Sequence, residues 1–379
     1  MSANVKYARP NRSNFAGFDK ILLAAVAGLL VIGTLLVYAG TREWFRSNDL
    51  DPEYYLKRHV LNILIGGLLA YGTTLIDYRL LRAYTPFVWG AGVLGLILVL
   101  VAGSTVNSAK AWLSFPGGFQ LQPAELANIS IIVGMAMVLA ERKDLRGDPT
   151  DSDVAKSLVV AAIPVGLILL QPDLGTVLII CAAVVAMIGA SGAPIRWVVG
   201  LILVAVAGGF VAVQTGVVSE YQVKRLQSFI DPAADPQLSG YQLRQARITI
   251  GSGGFLGTGL FDGPQTNGRF VPEQQTDFIF TVAGETLGFL GSSVILMLYS
   301  IIFFRAFVIA RRTTDLFGRL VCVGVIAWFV FQTFENIGMT MGLMPMTGVP
   351  LPFLSYGGSS MFANLIGVGL LQNVHVRTR

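Results

Sequence analysis

The stretch 21–41, ILLAAVAGLLVIGTLLVYAGT, carries no charged residue over a length that crosses the hydrocarbon core of a bilayer as an α-helix. It is too long for a signal-peptide core and is followed by no small-residue cleavage site, so we expect it to persist as a first membrane span. The whole chain of 379 residues is 54% hydrophobic and 13% charged, with a mean hydropathy of +0.66. A soluble domain does not reach these values, and the sequence therefore predicts a polytopic membrane protein.

Further apolar runs of similar length follow the first, which predicts an all-α membrane domain over 21–374 with a cytoplasmic segment 1–20 and a cytoplasmic tail 375–379. Helices normally end before proline, so Pro172 divides two of the runs; we prefer a hairpin here to a single broken helix. The ten predicted spans are 21–41, 59–77, 84–103, 123–140, 157–171, 174–192, 196–217, 278–309, 316–343 and 356–374.

The lysines and arginines indicate the orientation of these spans. With the N-terminus in the cytoplasm, most of the 27 basic residues fall in short cytoplasmic connections, as the positive-inside rule requires. They form no basic stripe, which argues against a nucleic-acid-binding protein. The connections rich in Gly, Pro and polar residues then lie outside, at 104–122, 171–176, 218–277 and 344–355. This one-sided elaboration predicts chemistry on the extracytoplasmic face.

Polar residues at the outer ends of the spans form the first candidate site residues. Lys110 and Trp112 precede the fourth span, Glu125 lies in its first turn, and Asp173 precedes the sixth. Each has a structural alternative: Trp and Lys as interfacial anchors, and the two acids as ordinary residues of a helix start. The residue types alone leave both interpretations open.

The long connection 218–277 is the richest cluster. It contains Arg225, Gln242, Arg247 and the glycine run 251–254, GSGG. Basic residues near flexible glycines suit a phosphate group, but the run lacks the lysine and Ser/Thr of a P-loop, so no nucleotide site is predicted.

Asp277 is the first choice for catalysis on physical grounds. It stands immediately before a strongly apolar helix, where partial desolvation raises the pKa of a carboxyl group toward that of a usable general base. Glu285 is eight residues further on and roughly 12 Å deeper along the same helix. It is either part of the site or a buried structural acid with its own partner.

The last cluster is a loop punctuated by Pro and Gly before the tenth span, which contains Ser355, Tyr356 and Gly357. Irregular backbone at membrane depth lines a cavity or packs inside protein. We therefore expect this loop to lie against the other outer connections.

Taken in order, these strings resemble the SEDS family (shape, elongation, division and sporulation), which includes RodA and FtsW. The resemblance runs from about residue 107 to 373; Ala111, Ala124 and Gln275 depart from residues that members often have there. A short N-terminus and the string VPEQQTDFIF favour a RodA-like member. The strings that carry the resemblance are QPAE at 122–125, QPDLGT at 171–176, GYQ at 240–242, IGSGG at 250–254, TDFIF at 276–280 and TGVPLPFLSYGGSS at 347–360.

The resemblance implies a bacterial cytoplasmic-membrane enzyme that polymerises lipid II into β-1,4 glycan strands on the outer face, with a class B penicillin-binding protein as transpeptidase partner. Asp277 matches the family's catalytic aspartate. The residues that match positions lining or supporting its cavity are Lys110, Trp112, Asp173, Glu285 and 355–358.

The expected mechanism is a single displacement with inversion, in which Asp277 accepts the proton of the attacking hydroxyl. Lys110, Arg225, Arg247 or a divalent cation (Mg²⁺ or Mn²⁺, with Asp277 or Glu285 as a ligand) neutralises the departing pyrophosphate. No nucleotide is required. Two alternatives remain: a lipid II flippase, which buried acids also suit, and a scaffold that only recruits the transpeptidase.

Overall fold

The computed structural model describes residues 17–106, 109–115, 119–141, 148–215, 220–231 and 239–378. Most of them are helical. The helices are α1 (Lys20–Ser47), α2 (Tyr54–Leu75), α3 (Tyr78–Ala102), α4 (Pro123–Glu141), α5 (Asp151–Leu169), α6 (Leu174–Ser191), α7 (Ile195–Gln214), α8 (Glu220–Ile230), α9 (Ser239–Ser252), α10 (Pro264–Asn267), α11 (Ile279–Arg312), α12 (Leu316–Met341) and α13 (Gly358–Arg377).

Seven of these helices are long and apolar enough to cross a membrane, and the apolar stretch Ile195–Val211 of α7 is slightly shorter. The seven are α1, α3, α4, α5, α6, α11 and α12. The chain is thus a polytopic helical membrane protein, as predicted. The spanning of the membrane by α2 and α13, and with it the count of ten, stays a prediction.

The turn at Pro172 separates two helices, α5 and α6, as the preferred hairpin interpretation requires. Asp173 starts α6, where its side chain accepts a hydrogen bond from the Thr176 N–H. The same chemistry starts α1 and α12, since Asp19 and Asp315 accept from the first free N–H groups of those helices.

The connection 104–122 contains a small sheet that the sequence did not predict. It contains β1 (Ser104–Val106), β2 (Ala109–Phe115) and β3 (Phe119–Leu121), which pair antiparallel in the order β1-β2-β3. Strand residues alternate between two faces, so this small sheet fixes the direction of Trp112 just before α4 begins.

The interior of the bundle is formed by α4, α6, α12 and α13. In α4, 78% of the most apolar window is buried by protein, compared with 17% in α3. Among the neighbouring pairs, α13 packs against α2, α6 against α12, and α1 against α11. Helices α8, α9 and α10 lie within the long connection 218–277, and α9 packs against α11 and α12.

Helix α11 is not a straight continuation of the predicted eighth span. Gly288 adopts φ +63°, and a Cβ at this position would lie 2.3 Å from the backbone nitrogen of Gly257. The Phe289 N–H donates to the Gly254 carbonyl at 2.9 Å, which docks the glycine run onto this kink. The run therefore serves a close backbone contact, for which only glycine has the room and the dihedral freedom.

Candidate active site

A cavity of about 940 Å³ lies among the ends of the helices where the elaborated connections meet. Its wall is formed by the start of α2, the sheet and the start of α4, the turn before α6, helix α8, the turn before α11 and the loop before α13. The polar and charged lining residues include Arg58, Asn62, Trp112, Gln122, Glu125, Asp173, Gln222, Arg225, Glu273, Thr276, Asp277, Thr347, Tyr356, Ser359 and Ser360. Four of the predicted connections thus contribute to one cavity.

Asp277 is half-buried in this wall, two residues before α11 begins. Burial raises the pKa of the Asp277 carboxyl group to about 7, and the charges of Glu273 and Asp173 act in the same direction. Arg225 opposes this rise because its guanidinium favours the carboxylate. The group is thus close to half-ionised near neutral pH, the condition that suits a general base.

The backbone around Asp277 is held from two sides. The N–H groups of Thr276 and Asp277 each donate to the Glu273 carbonyl at 3.1 Å, in a turn where Glu273 adopts φ +51°. The side-chain amide of Asn336 on α12 donates to the carbonyls of both Asp277 and Val349, each at 2.7 Å. One amide therefore ties the turn before α11 to the loop before α13.

Two contacts from the loop before α13 complete this connection. Ser355 donates its hydroxyl hydrogen bond to the Thr276 carbonyl, and the Tyr356 N–H donates to the Gln275 carbonyl at 2.9 Å. Gly348 lies against the catalytic candidate: it adopts φ +75°, and a Cβ there would lie 3.2 Å from Oδ2 of Asp277. The absence of a side chain at Gly348 keeps that face of the carboxylate open.

Asp173 also lines the cavity and has two tasks. Besides capping α6, its Oδ2 accepts hydrogen bonds from the Thr176 hydroxyl at 2.8 Å and the Gln122 side-chain amide at 3.0 Å. Burial raises its pKa, although these hydrogen bonds act in the opposite direction. The structure thus unites the two interpretations left open by the sequence, since one side chain caps a helix and faces the cavity.

Trp112, Glu125, Arg225, Tyr356 and Gly357, all named from the sequence, also line the cavity. Glu125 is buried in the first turn of α4. Arg225 reaches the cavity from α8, where its guanidinium donates to the Met346 carbonyl at 3.3 Å. The side chain of Lys110, in β2, lies outside the described residues.

Glu285, Arg247, Gln242 and Ser355 are not among the lining residues. Glu285 accepts hydrogen bonds from the N–H groups of Gln265 and Thr266 at 2.9 and 2.6 Å, so it holds the start of α10. Arg247 donates to the carbonyls of Met341 and Gly342 at the end of α12. Both side chains hold segments around the cavity without lining it. For Glu285, the structure favours the role of a buried structural acid with its own partners.

Arg58 is a lining residue that the sequence reasoning did not select, whereas Asn336 belongs with Glu335 to the polar residues of the ninth predicted span that accompany the last cluster. Arg58 lies near the start of α2, where basic residues beside an apolar run suggest side chains that reach for headgroups. Asn336 is buried within an apolar helix, and a polar side chain at that depth is the signal that identifies it.

The charged groups do not combine into an evident metal site. Among the described residues, no group of three or more His, Cys, Asp or Glu side chains is arranged to hold a metal ion. A carboxylate with a raised pKa beside a guanidinium, in a large cavity with polar and apolar walls, is suited to proton abstraction near an anionic group.

The comparisons with known proteins agree along nearly the whole chain. The family model for cell cycle proteins of the FtsW, RodA and SpoVE type matches residues 20–379. A probable peptidoglycan glycosyltransferase FtsW from Trichlorobacter lovleyi is 37% identical over 361 residues, covering 95% of this chain and 93% of its own. The stage V sporulation protein E of Bacillus subtilis is 35% identical, covering 94% and 96%. The solved structure "Structural coordination of polymerization and crosslinking by a peptidoglycan synthase complex" contains a similar chain. It superposes with a TM-score of 0.79 at 32% identity, and the match covers 95% of this chain and 98% of that one.

Proposed function

This chain belongs to the FtsW, RodA and SpoVE family of cell cycle proteins, and we propose that it is a peptidoglycan glycosyltransferase that polymerises lipid II into β-1,4 glycan strands. The cavity faces the outer side of the cytoplasmic membrane in this proposal, with both termini inside. The proposed partner is a class B penicillin-binding protein, and the similarity to a chain of a peptidoglycan synthase complex supports it. We propose a RodA-like role in elongation, although the FtsW and SpoVE relatives match this chain well.

The observation that carries the proposal is the position of Asp277. Asp277 lines a cavity large enough for sugar rings, and its carboxyl group has a pKa of about 7. Its backbone is fixed by Asn336 and the Glu273 turn. A glycosyltransferase that uses a sugar hydroxyl as nucleophile requires one base in such a setting.

In the proposed reaction, the C4 hydroxyl of one sugar attacks C1 of a sugar that carries a polyprenyl pyrophosphate. The O4–C1 bond forms as the bond from C1 to the pyrophosphate oxygen breaks, and the configuration at C1 changes from α to β. The hydroxyl proton moves to the Asp277 carboxylate, and the bonding electrons leave with the pyrophosphate. Arg225 and Arg58, which both line the cavity, are placed to offset the charge of the leaving group.

The described residues do not fit a divalent cation held by these ligand types alone, because they contain no group of three or more His, Cys, Asp or Glu side chains arranged for one. Glu285, a ligand candidate on sequence grounds, is occupied at the start of α10. No step of the reaction above is therefore assigned to a metal ion. The cation remains a separate hypothesis, which loss of activity on chelation tests.

The test is polymerisation of lipid II by the purified chain with its class B partner, in wild-type form and as Asp277→Asn. Loss of a general base lowers the rate by about 100-fold or more. Asp262→Asn is the matched control, because Asp262 is an exposed carboxylate of the same connection that does not line the cavity. Equal rates for wild type and Asp277→Asn would overturn the assignment. Absence of glycan from the wild type, with transbilayer movement of lipid II instead, would favour the flippase.

A further inference from the structure

A chain of aromatic rings leads from the cavity to the surface at the α1–α2 turn. Tyr356 contacts Tyr55 edge-to-face with ring centroids 4.7 Å apart, and Tyr55 contacts Phe45 at 5.5 Å. Phe45 stacks on Tyr54 at 5.8 Å and contacts Trp44 at 5.1 Å. These five residues are named the aromatic ladder below.

Two arginines hold the ladder in place. The Arg58 guanidinium lies 4.5 Å from the centre of the Tyr54 ring, and that of Arg269 lies 4.5 Å from the Trp44 ring. Such cation–π contacts stabilise a ring face against rotation. The ladder is therefore a fixed surface in which each ring has partners.

The ladder has a polar border. Its outer rings lie at the end of α1 and the start of α2, beside a turn whose Asp51 and Glu53 pair with Lys57 of α2 at 3.0 and 3.3 Å. Trp44 and Tyr54 are 37% and 38% exposed. A hydrocarbon tail is not the natural occupant of a surface with this polar border.

Three members of the ladder also belong to the cavity wall, namely Tyr54, Tyr55 and Tyr356. This continuity distinguishes the ladder from an ordinary belt of interfacial anchors, whose rings face the headgroups. The occupant must have apolar faces for the rings and polar edges for water and for Arg58. Sugar rings have this character, because their C–H groups form flat faces and their hydroxyls form the rim.

We infer that the aromatic ladder is the binding surface along which the growing glycan strand leaves the cavity. This inference rests on the proposed function and adds a subsite to it. The last sugars formed stack on Tyr356 and Tyr55, and earlier sugars extend over Tyr54 toward Trp44. Such a surface retains the strand between additions, so it controls strand length rather than the chemical step.

The test compares strand length and the initial rate of lipid II consumption in purified wild-type complex, Tyr54→Leu, Trp44→Leu and Tyr54→Phe. Loss of one aromatic contact weakens retention roughly 2- to 12-fold, so both leucine variants release shorter strands. The near-normal initial rate is expected of Trp44→Leu, because Trp44 lies outside the cavity wall. Tyr54→Phe keeps the ring and the strand length. Phe289→Leu is the control, since Phe289 is an exposed stacked ring outside the cavity wall and keeps wild-type strand length.

Unchanged strand length in the leucine variants overturns the inference. A second result also overturns it: Tyr54→Leu loses part of its class B partner, and the complex that remains makes strands of normal length. The ladder is then a protein contact.

A second measurement does not depend on catalysis. Soluble GlcNAc–MurNAc strands, added to Asp277→Asn, quench tryptophan fluorescence, and Trp44→Phe in that background removes the change. If the proposed function is wrong, the wild-type complex makes no glycan, and this result differs from a change in strand length.

Discussion

Asn336 shows how a single side chain sets the geometry of the cavity. Its amide is buried within α12 and supplies hydrogen bonds to two carbonyls, one in the turn that carries Asp277 and one in the loop that carries Gly348. The proposed base, Asp277, is thus positioned through its backbone, and this tie leaves its carboxyl group out of the hydrogen bonds.

We predict that Asn336→Leu lowers both the rate of polymerisation and the thermal midpoint. The change leaves the Asp277 and Val349 carbonyls without this donor, which costs about 1–3 kcal/mol for each buried group, and it releases the turn that aims the base. The rate of glycan formation and the thermal midpoint are measured together. Asn267→Leu, whose amide donates to the Phe261 carbonyl away from the cavity, is the control and keeps full activity. Normal activity in Asn336→Leu would show that the two hydrogen bonds of Asn336 are not needed to position Asp277.

Sequence reasoning reached part of this residue-scale detail. Asp277, Asp173 and Glu125 could be chosen because acids at the outer ends of apolar helices are costly and need a reason to be there. The partners of Glu285 could not be foreseen, because they are backbone N–H groups about twenty residues upstream that only the kinked path of α11 brings close. Arg58 was not selected for a similar reason. An arginine beside an apolar run has the same local sequence whether its side chain lines a cavity or contacts lipid headgroups.

At the scale of elements, the site depends on how the 251–268 segment docks on α11. The carbonyls of Glu285 and Thr286 accept hydrogen bonds from the N–H groups of Thr258 and Gly259, and the Glu285 carboxylate holds the start of α10. A kink at Gly288 frees those carbonyls from the helix, so the deviation from an ideal span is what allows the segment to attach.

We expect Glu285→Ala to destabilise this element without removing a reacting group. Loss of charge-assisted hydrogen bonds in a buried setting costs roughly 2–4 kcal/mol, which lowers the thermal midpoint and increases proteolysis within 251–268. Glu285→Gln keeps one acceptor oxygen and has a smaller effect. Limited proteolysis with mass spectrometry locates the change, and a variant as resistant as wild type would contradict the structural role.

The element bounds themselves were largely predictable. Apolar length and flanking charge gave every long helix to within several residues, and Pro172 marked the turn between α5 and α6. The three short strands were not foreseen, because the alternation in 104–121 covers too few residues to be distinguished from a polar loop.

At the scale of the whole molecule, the bundle gathers its elaborated connections at one end. The cavity is lined by residues from α2 to the loop before α13, so its formation requires nearly the whole chain to be folded. A site built from connections at one end of the bundle suits an enzyme that acts on one leaflet, whereas a flippase requires access from both.

The proposed orientation predicts a labelling pattern in intact cells. With Cys181 and Cys322 replaced, Asp262→Cys reacts with a membrane-impermeant maleimide from outside, because Asp262 lies in the connection that contributes to the cavity. Arg312→Cys, at the end of α11, reacts only after the membrane is opened. The reverse pattern would place the cavity in the cytoplasm and end the proposal.

The pH dependence of glycan formation tests the account most directly, because it reports the ionisation of the base itself. Asp277 acts as a carboxylate in this account, so the initial rate at limiting lipid II, which reports the free enzyme, should fall by about tenfold per pH unit below its pKa of about 7 and level off above it. In Asp277→Glu, any residual activity should follow a shifted curve, with the partner's transpeptidase activity as an internal control. A wild-type rate that is constant between about pH 5.5 and 8.5, or one that rises as the pH falls, would contradict the assignment of Asp277 as the general base.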